Sequence, residues 1–211
     1  MGHTFTTSGS GTLVTADGGG LSYVAHNTAG ETIDVAAKGV RNAYGSSGND
    51  ALTGDANANW LAGGMGSDSF SAGAVDDVLL IDASDLQANI HAGAGFDTVQ
   101  IVGDEGVALN LAQAEVEVVV GGRGDDVLIG GGRANVFVEG GAGDDLIVGG
   151  AADDALSGDD GDDLIDGGAS DDLLDGGQGD DWLSGGAHTT GKSRDASGNT
   201  SYIGMPILSG Q

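Results

Sequence analysis

The chain has 211 residues, room for one or two ordinary domains, yet 43 of them are Gly, about three times the usual share. Acidic residues number 33 against 6 basic ones, a formal net charge of −27, and 28 of the acids are Asp. That charge disfavours nucleic acid and anionic membranes as partners and favours cations. The lack of cysteine rules out a disulfide framework and a thiolate metal site. No apolar run reaches the length of about 18 residues that a membrane-spanning helix needs.

From the amino end, Met1-Gly-His-Thr-Phe lacks the basic and apolar segments of a cleaved leader, so export needs another route or a longer parent chain. Residues 1–44 carry short apolar runs at Leu13-Val14, Ser22-Tyr-Val24 and Thr32-Ile-Asp-Val35. Each is too short for a helix and is bounded by Gly, Asn or Asp, which predicts strands and turns. We read this segment as solenoid strands or a cap.

Residues 45–80 form a first repeat block. Gly45-Ser-Ser-Gly48-Asn-Asp50-Ala-Leu52 opens it, a weaker copy with Asn59 in the Asp place follows, and Gly63-Gly-Met-Gly66-Ser-Asp68-Ser-Phe70 is complete. A degraded copy ends on Asp77-Val-Leu79. Residues 81–120 keep the strand-like runs but hold one copy only, Ala92-Gly93-Ala-Gly95-Phe-Asp97-Thr-Val99. We expect the same coil to continue there with longer turns and fewer ions.

Residues 121–186 form the second block. Gly121-Gly-Arg-Gly-Asp-Asp126-Val-Leu128-Ile is followed by copies starting at Gly130, Gly140, Gly149, Gly158, Gly167 and Gly176. The pattern is Gly-Gly-x-Gly-x-Asp-x-apolar-x. Its eighth place holds Leu128, Phe137, Ile147, Leu156, Ile165, Leu174 and Leu183, all apolar. Glu139 stands as one extra residue between copies, and we expect a bulge there. The ninth place is apolar early (Ile129, Val138, Val148) and polar later (Ser157, Asp166, Asp175, Ser184), which suggests an outer surface covered by another segment or a partner near 127–148. Residues 187–211 lose the period and read as a cap or a flexible tail.

This nonapeptide resembles the hemolysin-type calcium-binding repeat of RTX proteins. The resemblance implies an all-β fold, a right-handed parallel β-roll in which two repeats make one coil. It implies calcium between turn n and turn n+2 on the same edge, held by sixth-place carboxylates and by turn carbonyls. Asp126, Asp145, Asp163 and Asp181 would stack on one edge, and Asn135, Asp154 and Asp172 on the other. Asp50 would pair with Asp68, Asn59 with Asp77, and Asp97 would add a lone ligand. The carbonyl-bearing turns would use Gly122, Gly124, Gly141, Gly143, Gly150, Gly158, Gly161, Gly168, Gly177 and Gly179. Asn135 lacks a carboxylate and Ala152 replaces a turn Gly, so weaker sites are expected there.

The chemistry agrees: calcium takes six to eight oxygen ligands, carboxylate and carbonyl together, and glycine lets consecutive carbonyls turn toward one point. We expect about five to eight ions. The resemblance further implies a secreted, extracellular setting, a larger parent protein and a type I export machine as partner. Folding would follow calcium binding, and the roll would serve a neighbouring effector. A surface stalk or adhesin, or the accessory roll of a secreted enzyme, are the other readings.

Other motifs carry less. An EF-hand needs Glu at the twelfth loop place, and no Asp-rich segment has one. Gly186-Ala-His-Thr-Thr-Gly191-Lys192-Ser193 spells a phosphate-binding loop, but Arg-Asp-Ala-Ser-Gly after it is a poor helix start. His3, His26, His91 and His188 are scattered, and no Gly-x-Ser-x-Gly elbow occurs. We therefore expect no catalytic site in these residues.

Overall fold

The structure, a computed structural model, describes residues 4–6, 11–15, 21–85, 87–132, 134–186, 194–195 and 201–202. The chain divides into two compact units, Met1–Val102 with Gln113–Val116, and Gly103–Ala112 with Glu117–Gln211.

The first unit holds β1 (Thr4–Thr6), β2 (Gly11–Thr15), β3 (Leu21–Ala25), β4 (Thr32–Asp34), α1 (Val35–Lys38), β5 (Asn42–Tyr44), β6 (Ala51–Thr53), β7 (Trp60–Ala62), β8 (Ser69–Ala74), β9 (Val78–Ile81), β10 (Ile90–Ala94) and β11 (Thr98–Ile101). Strands β1, β2 and β3 pair antiparallel. From β3 onward every pairing is parallel, through β5, β7, β9 and β11 on one side and through β4, β6, β8 and β10 on the other. Alternate strands therefore join alternate sheets, the pattern of a coil with two strands per turn. Helix α1 is a single turn: the Asp34 carboxylate accepts from the Ala37 N–H, and Gly39 closes it in the left-handed region.

The second unit holds β12 (Ala108–Asn110), β13 (Val118–Val120), β14 (Val127–Ile129), β15 (Phe137–Ala142), β16 (Leu146–Gly150), β17 (Ala155–Asp160), β18 (Leu164–Gly168), β19 (Leu173–Gly177), β20 (Trp182–Ser184), β21 (Arg194–Asp195) and β22 (Ser201–Tyr202). The one-turn helix α2 (Leu111–Ala114) follows β12. Strands β13, β15, β17, β19 and β21 pair in parallel, as do β12, β14, β16, β18, β20 and β22. Both units are thus parallel β-roll. Apart from the backbone strands β21 and β22, residues 187–211, and with them the cap-or-tail question and most of the phosphate-loop match, lie outside the described residues. No helix among the described residues is long and apolar enough to cross a membrane.

The short parallel strands stack one inward side chain per strand into rows. In the second unit one row is Leu109, Leu128, Ile147, Ile165 and Leu183, and the other is Val119, Val138, Leu156 and Leu174, all buried. Ile33, Leu52, Phe70 and Ile90 form the matching row under β4–β6–β8–β10. Burial of each large side chain contributes about 2 kcal/mol, but one such residue per nine is a thin core.

One stretch departs from the sequence reading. Val138, not Phe137, points inward: Val138 is 3% exposed and pairs with Leu156, whereas Phe137 is 47% exposed. The unbroken register Val120–Glu139–Ser157 puts Glu139 in an ordinary ninth place, so no bulge forms at Glu139. The extra residue sits in the turn before Val136 instead. Val138 is core, so it gives no support to a covered outer surface, and Val148 is half-buried.

Candidate metal centre

In both repeat blocks most strands are entered through a Gly-rich turn whose sixth residue is buried. Asp50, Asp68, Asp77, Asp97, Asp126, Asp145, Asp154, Asp163, Asp172 and Asp181 all lose contact with solvent, as does Asn59. Burying so many carboxylates is costly unless each finds a partner. One oxygen of each does. The N–H of Asp126 donates to Asp145 Oδ1 at 2.7 Å, that of Asp145 to Asp163 Oδ1 at 2.8 Å, and that of Asp163 to Asp181 Oδ1 at 3.0 Å. On the other edge the Asp154 N–H donates to Asp172 Oδ1 at 3.0 Å.

The first unit repeats the device. Asp50 N–H donates to Asp68 Oδ1 at 2.7 Å, Asn59 N–H to Asp77 Oδ1 at 2.7 Å, and Asp77 N–H to Asp97 Oδ1 at 2.8 Å. The expected pairs Asp50–Asp68, Asn59–Asp77, Asp126–Asp145–Asp163–Asp181 and Asp154–Asp172 are therefore brought together, and Asp97 joins Asp77.

The other oxygen is different. Oδ2 of Asp68, Asp77, Asp145, Asp154, Asp163 and Asp172 is buried with no hydrogen-bond partner. In Asp68, Asp145, Asp154, Asp163 and Asp172 it lies against the first Gly of its own repeat. A Cβ on Gly158 would collide with Asp163 Oδ2, and one on Gly149 with Asp154 Oδ2, at 2.5 Å. In those repeats a residue without Cβ leaves room for the carboxylate, whereas Ala72 holds the same place before Asp77. Seven of the turn glycines named above (Gly141, Gly143, Gly150, Gly161, Gly168, Gly177 and Gly179) have left-handed φ. The carbonyls of Gly122 and Gly150 accept from the N–H of Ala142 and Ala169 at 3.0 and 2.9 Å, which leaves each a second lone pair.

Stacked carboxylates in a dry turn resist ionisation. Desolvation, reinforced by neighbouring carboxylates, pushes Asp68 and Asp145 up to about 7, and Asp77 and Asp163 up to about 6. Burial likewise raises Asp85, Asp126, Asp154 and Asp172, against the pull of their backbone hydrogen bonds.

Asn135 does not occupy a sixth place: it is exposed, and Val136 stands there, buried, with its N–H donating to Asp154 Oδ1 at 2.9 Å. The extra turn residue shifts the count by one, so that edge begins with an apolar side chain. Val107 plays the same part on the other edge, donating to Asp126 Oδ1 at 2.7 Å. Sequence reasoning also missed Asp85. It is buried, takes the Asp68 N–H at 2.7 Å on Oδ1 and the Asp82 N–H at 3.0 Å on Oδ2, and extends the Asp50–Asp68 row. Its turn, Asp82-Ala-Ser-Asp85, contains no Gly, and only its distance from Asp68 could have marked it.

A family model for the RTX calcium-binding nonapeptide repeat matches four copies, at residues 44–79, 114–137, 137–165 and 157–187, just over half of the chain. The chain belongs to the RTX calcium-binding repeat family. A search of curated proteins found no match. In the unmatched stretch between the RTX copies one turn, at 82–85, has no Gly, yet the parallel pairings β8–β10 and β9–β11 persist.

The RTX turns fit calcium by their donor set. Hard carboxylate oxygens, buried without a partner and stacked so that their charges repel, are groups a hard cation would satisfy. Among the described residues no three His, Cys, Asp or Glu side chains converge into a metal cluster.

Proposed function

We propose that this RTX roll is a calcium-triggered folding module that works outside the cell, where it supports an adjoining part of its parent protein and carries no catalysis itself. The observation behind this reading is the set of partnerless, buried Oδ2 atoms in rows of like charge. The apolar rows alone are thin, and the carboxylate rows oppose folding while they are ionised.

The residues that would hold calcium are the sixth-place acids of each row: Asp50, Asp68 and Asp85; Asp77 and Asp97; Asp126, Asp145, Asp163 and Asp181; Asp154 and Asp172. Bound calcium supplies positive charge and accepts six to eight oxygens. The chain positions those oxygens: the N–H ladder fixes each Oδ1, the first Gly leaves space for Oδ2, and the inward row locks coil to coil. With about five to eight ions, each adding about 1.4 kcal/mol at ten times its dissociation constant, binding contributes as much as a typical domain's net stability. Extracellular calcium modules bind at about 10⁻⁴ to 10⁻³ M, which would leave the roll unfilled in a cell interior and filled outside.

The test is far-UV circular dichroism during a calcium titration from a chelated start, with magnesium as control. A cooperative gain of β signal near millimolar calcium, and none with magnesium, supports the reading. A full β signal in chelator would sink it.

A further inference from the structure

In the sheet β12–β14–β16–β18–β20 the seventh places form a register row on the outer face: Val127 pairs with Leu146, Leu146 with Leu164, and Leu164 with Trp182. Leu164 and Trp182 are 44% and 50% exposed, and Val127 and Leu146 are half-buried. Two residues upstream in the same repeats stand Asp125, Asp144, Asp162 and Asp180, all exposed. The N–H groups of Asp144, Asp162 and Asp180 donate to Oδ1 of Asp125, Asp144 and Asp162 at 2.9, 2.9 and 2.8 Å. These fifth-place acids are therefore held in a row at the coil spacing of about 4.8 Å. They are distinct from the buried sixth-place acids. A fixed apolar row runs beside a fixed anionic row.

We infer that this face docks a cationic amphipathic helix of a partner protein, its apolar side on Val127, Leu146, Leu164 and Trp182 and its Lys or Arg flank along the exposed Asp row. The strands between β12 and β20 are hydrogen-bonded on both sides, so a strand cannot add there, and recognition must come from side chains. The apolar row spans three strand spacings, about 14 Å. A helix rising about 1.5 Å per residue covers that in about ten residues, with anchors at i, i+3 or i+4, and i+7. Trp182 supplies an aromatic anchor of the kind that carries binding energy. The acid row selects charge: it attracts a basic flank and repels an acidic one.

The test uses the full chain in saturating calcium, with its fold verified by circular dichroism on the same samples. The probe is a synthetic Leu/Lys peptide with Leu at i, i+3, i+4 and i+7, set against the same peptide with Glu for Lys. Trp60→Phe leaves Trp182 as the only tryptophan of the two. The Leu/Lys peptide should shift Trp182 emission to the blue and saturate, and the Leu/Glu peptide should not. Leu164→Ser should weaken binding about tenfold. Asp144→Asn with Asp162→Asn keeps both Oδ1 acceptors and removes the charge; it should weaken binding about fivefold and flatten its salt dependence. Equal binding of the Leu/Glu peptide, or indifference to both variants, overturns the proposal. So does displacement of the peptide by further calcium at unchanged dichroism, which would make the row a cation site. A negative peptide result on calcium-folded protein counts against this face alone and leaves the calcium reading intact.

Discussion

Asp145 and Asp163 stand eighteen residues apart in sequence and one coil apart in space: the N–H of Asp145 donates to Oδ1 of Asp163 at 2.8 Å, while Oδ2 of Asp163 is buried without a partner. Each such acid is thus half structural and half reserved. Asp163→Asn keeps the shape and the Oδ1 acceptor but removes a charge shared by two neighbouring sites. In chelator this variant should be no less stable than the parent. In calcium at ten times the site dissociation constant it should lose about 2–3 kcal/mol, two sites' worth. Urea unfolding in both conditions reads the opposite responses; equal loss in both would count against a metal role for Asp163.

The raised acids set a pH dependence. Asp68 and Asp145 titrate near 7 and Asp77 and Asp163 near 6 in the fold, against an ordinary value of 3.8. Between those values the metal-free folded state binds more protons than the unfolded chain, so stability falls as pH rises. It is fully present below about pH 4 and lost through pH 6 to 7. In chelator the β signal should therefore be larger at pH 5 than at pH 8, and calcium added at pH 6 should release protons, seen as a buffer-dependent heat in calorimetry.

The register at residues 136–138 can be tested by three side chains. Val138→Ala should cost about 1–2 kcal/mol as a core truncation, and Phe137→Ser should stay within about 1 kcal/mol on thermal unfolding. Val136→Asp completes a carboxylate row above Asp154. It should lower stability in chelator by about 2 kcal/mol or more and raise the calcium stoichiometry by one in calorimetric titration. Asn135→Ala should change neither.

Turn geometry predicts unequal costs for two Gly→Ala changes. At Gly161, with φ 150, a Cβ would run into the Gly143 carbonyl; at Gly39, with φ 65, it meets nothing within 4 Å. Gly39→Ala should cost about 1 kcal/mol of backbone strain. Gly161→Ala should cost more than about 2 kcal/mol, because the neighbouring coil must move.

The parallel roll and most of its acid rows are legible in the sequence because period and chemistry coincide: Gly marks the turn, Asp the sixth place and an aliphatic residue the eighth. Reading fails where one of those markers is silent. At 130–138 both Phe137 and Val138 are apolar, so a one-residue slip leaves the hydropathy pattern intact. Only the pairing of Val138 with Leu156 decides between them. Asp85 is invisible because its turn has no Gly. The fifth-place row escaped notice because an exposed Asp next to a ligand Asp looks like surface; its role emerges only from hydrogen bonds between coils.

The two ladders run in opposite senses. Each sixth-place N–H donates to a carboxylate in the following coil, within the buried turn, whereas each fifth-place N–H donates back to the preceding coil, at the surface. Trimming a coil from the amino side of the second unit would take strand carbonyls such as that of Val107, which accepts from Val127, but no carboxylate acceptor of a buried sixth-place amide that remains. Trimming from residue 176 onward would strand the Asp163 amide in a dry interior. The buried carboxylate ladder is therefore vectorial: each sixth-place amide finds its acceptor in the coil that follows, so a chain made amino end first leaves its newest buried amide unmet until the next repeat arrives.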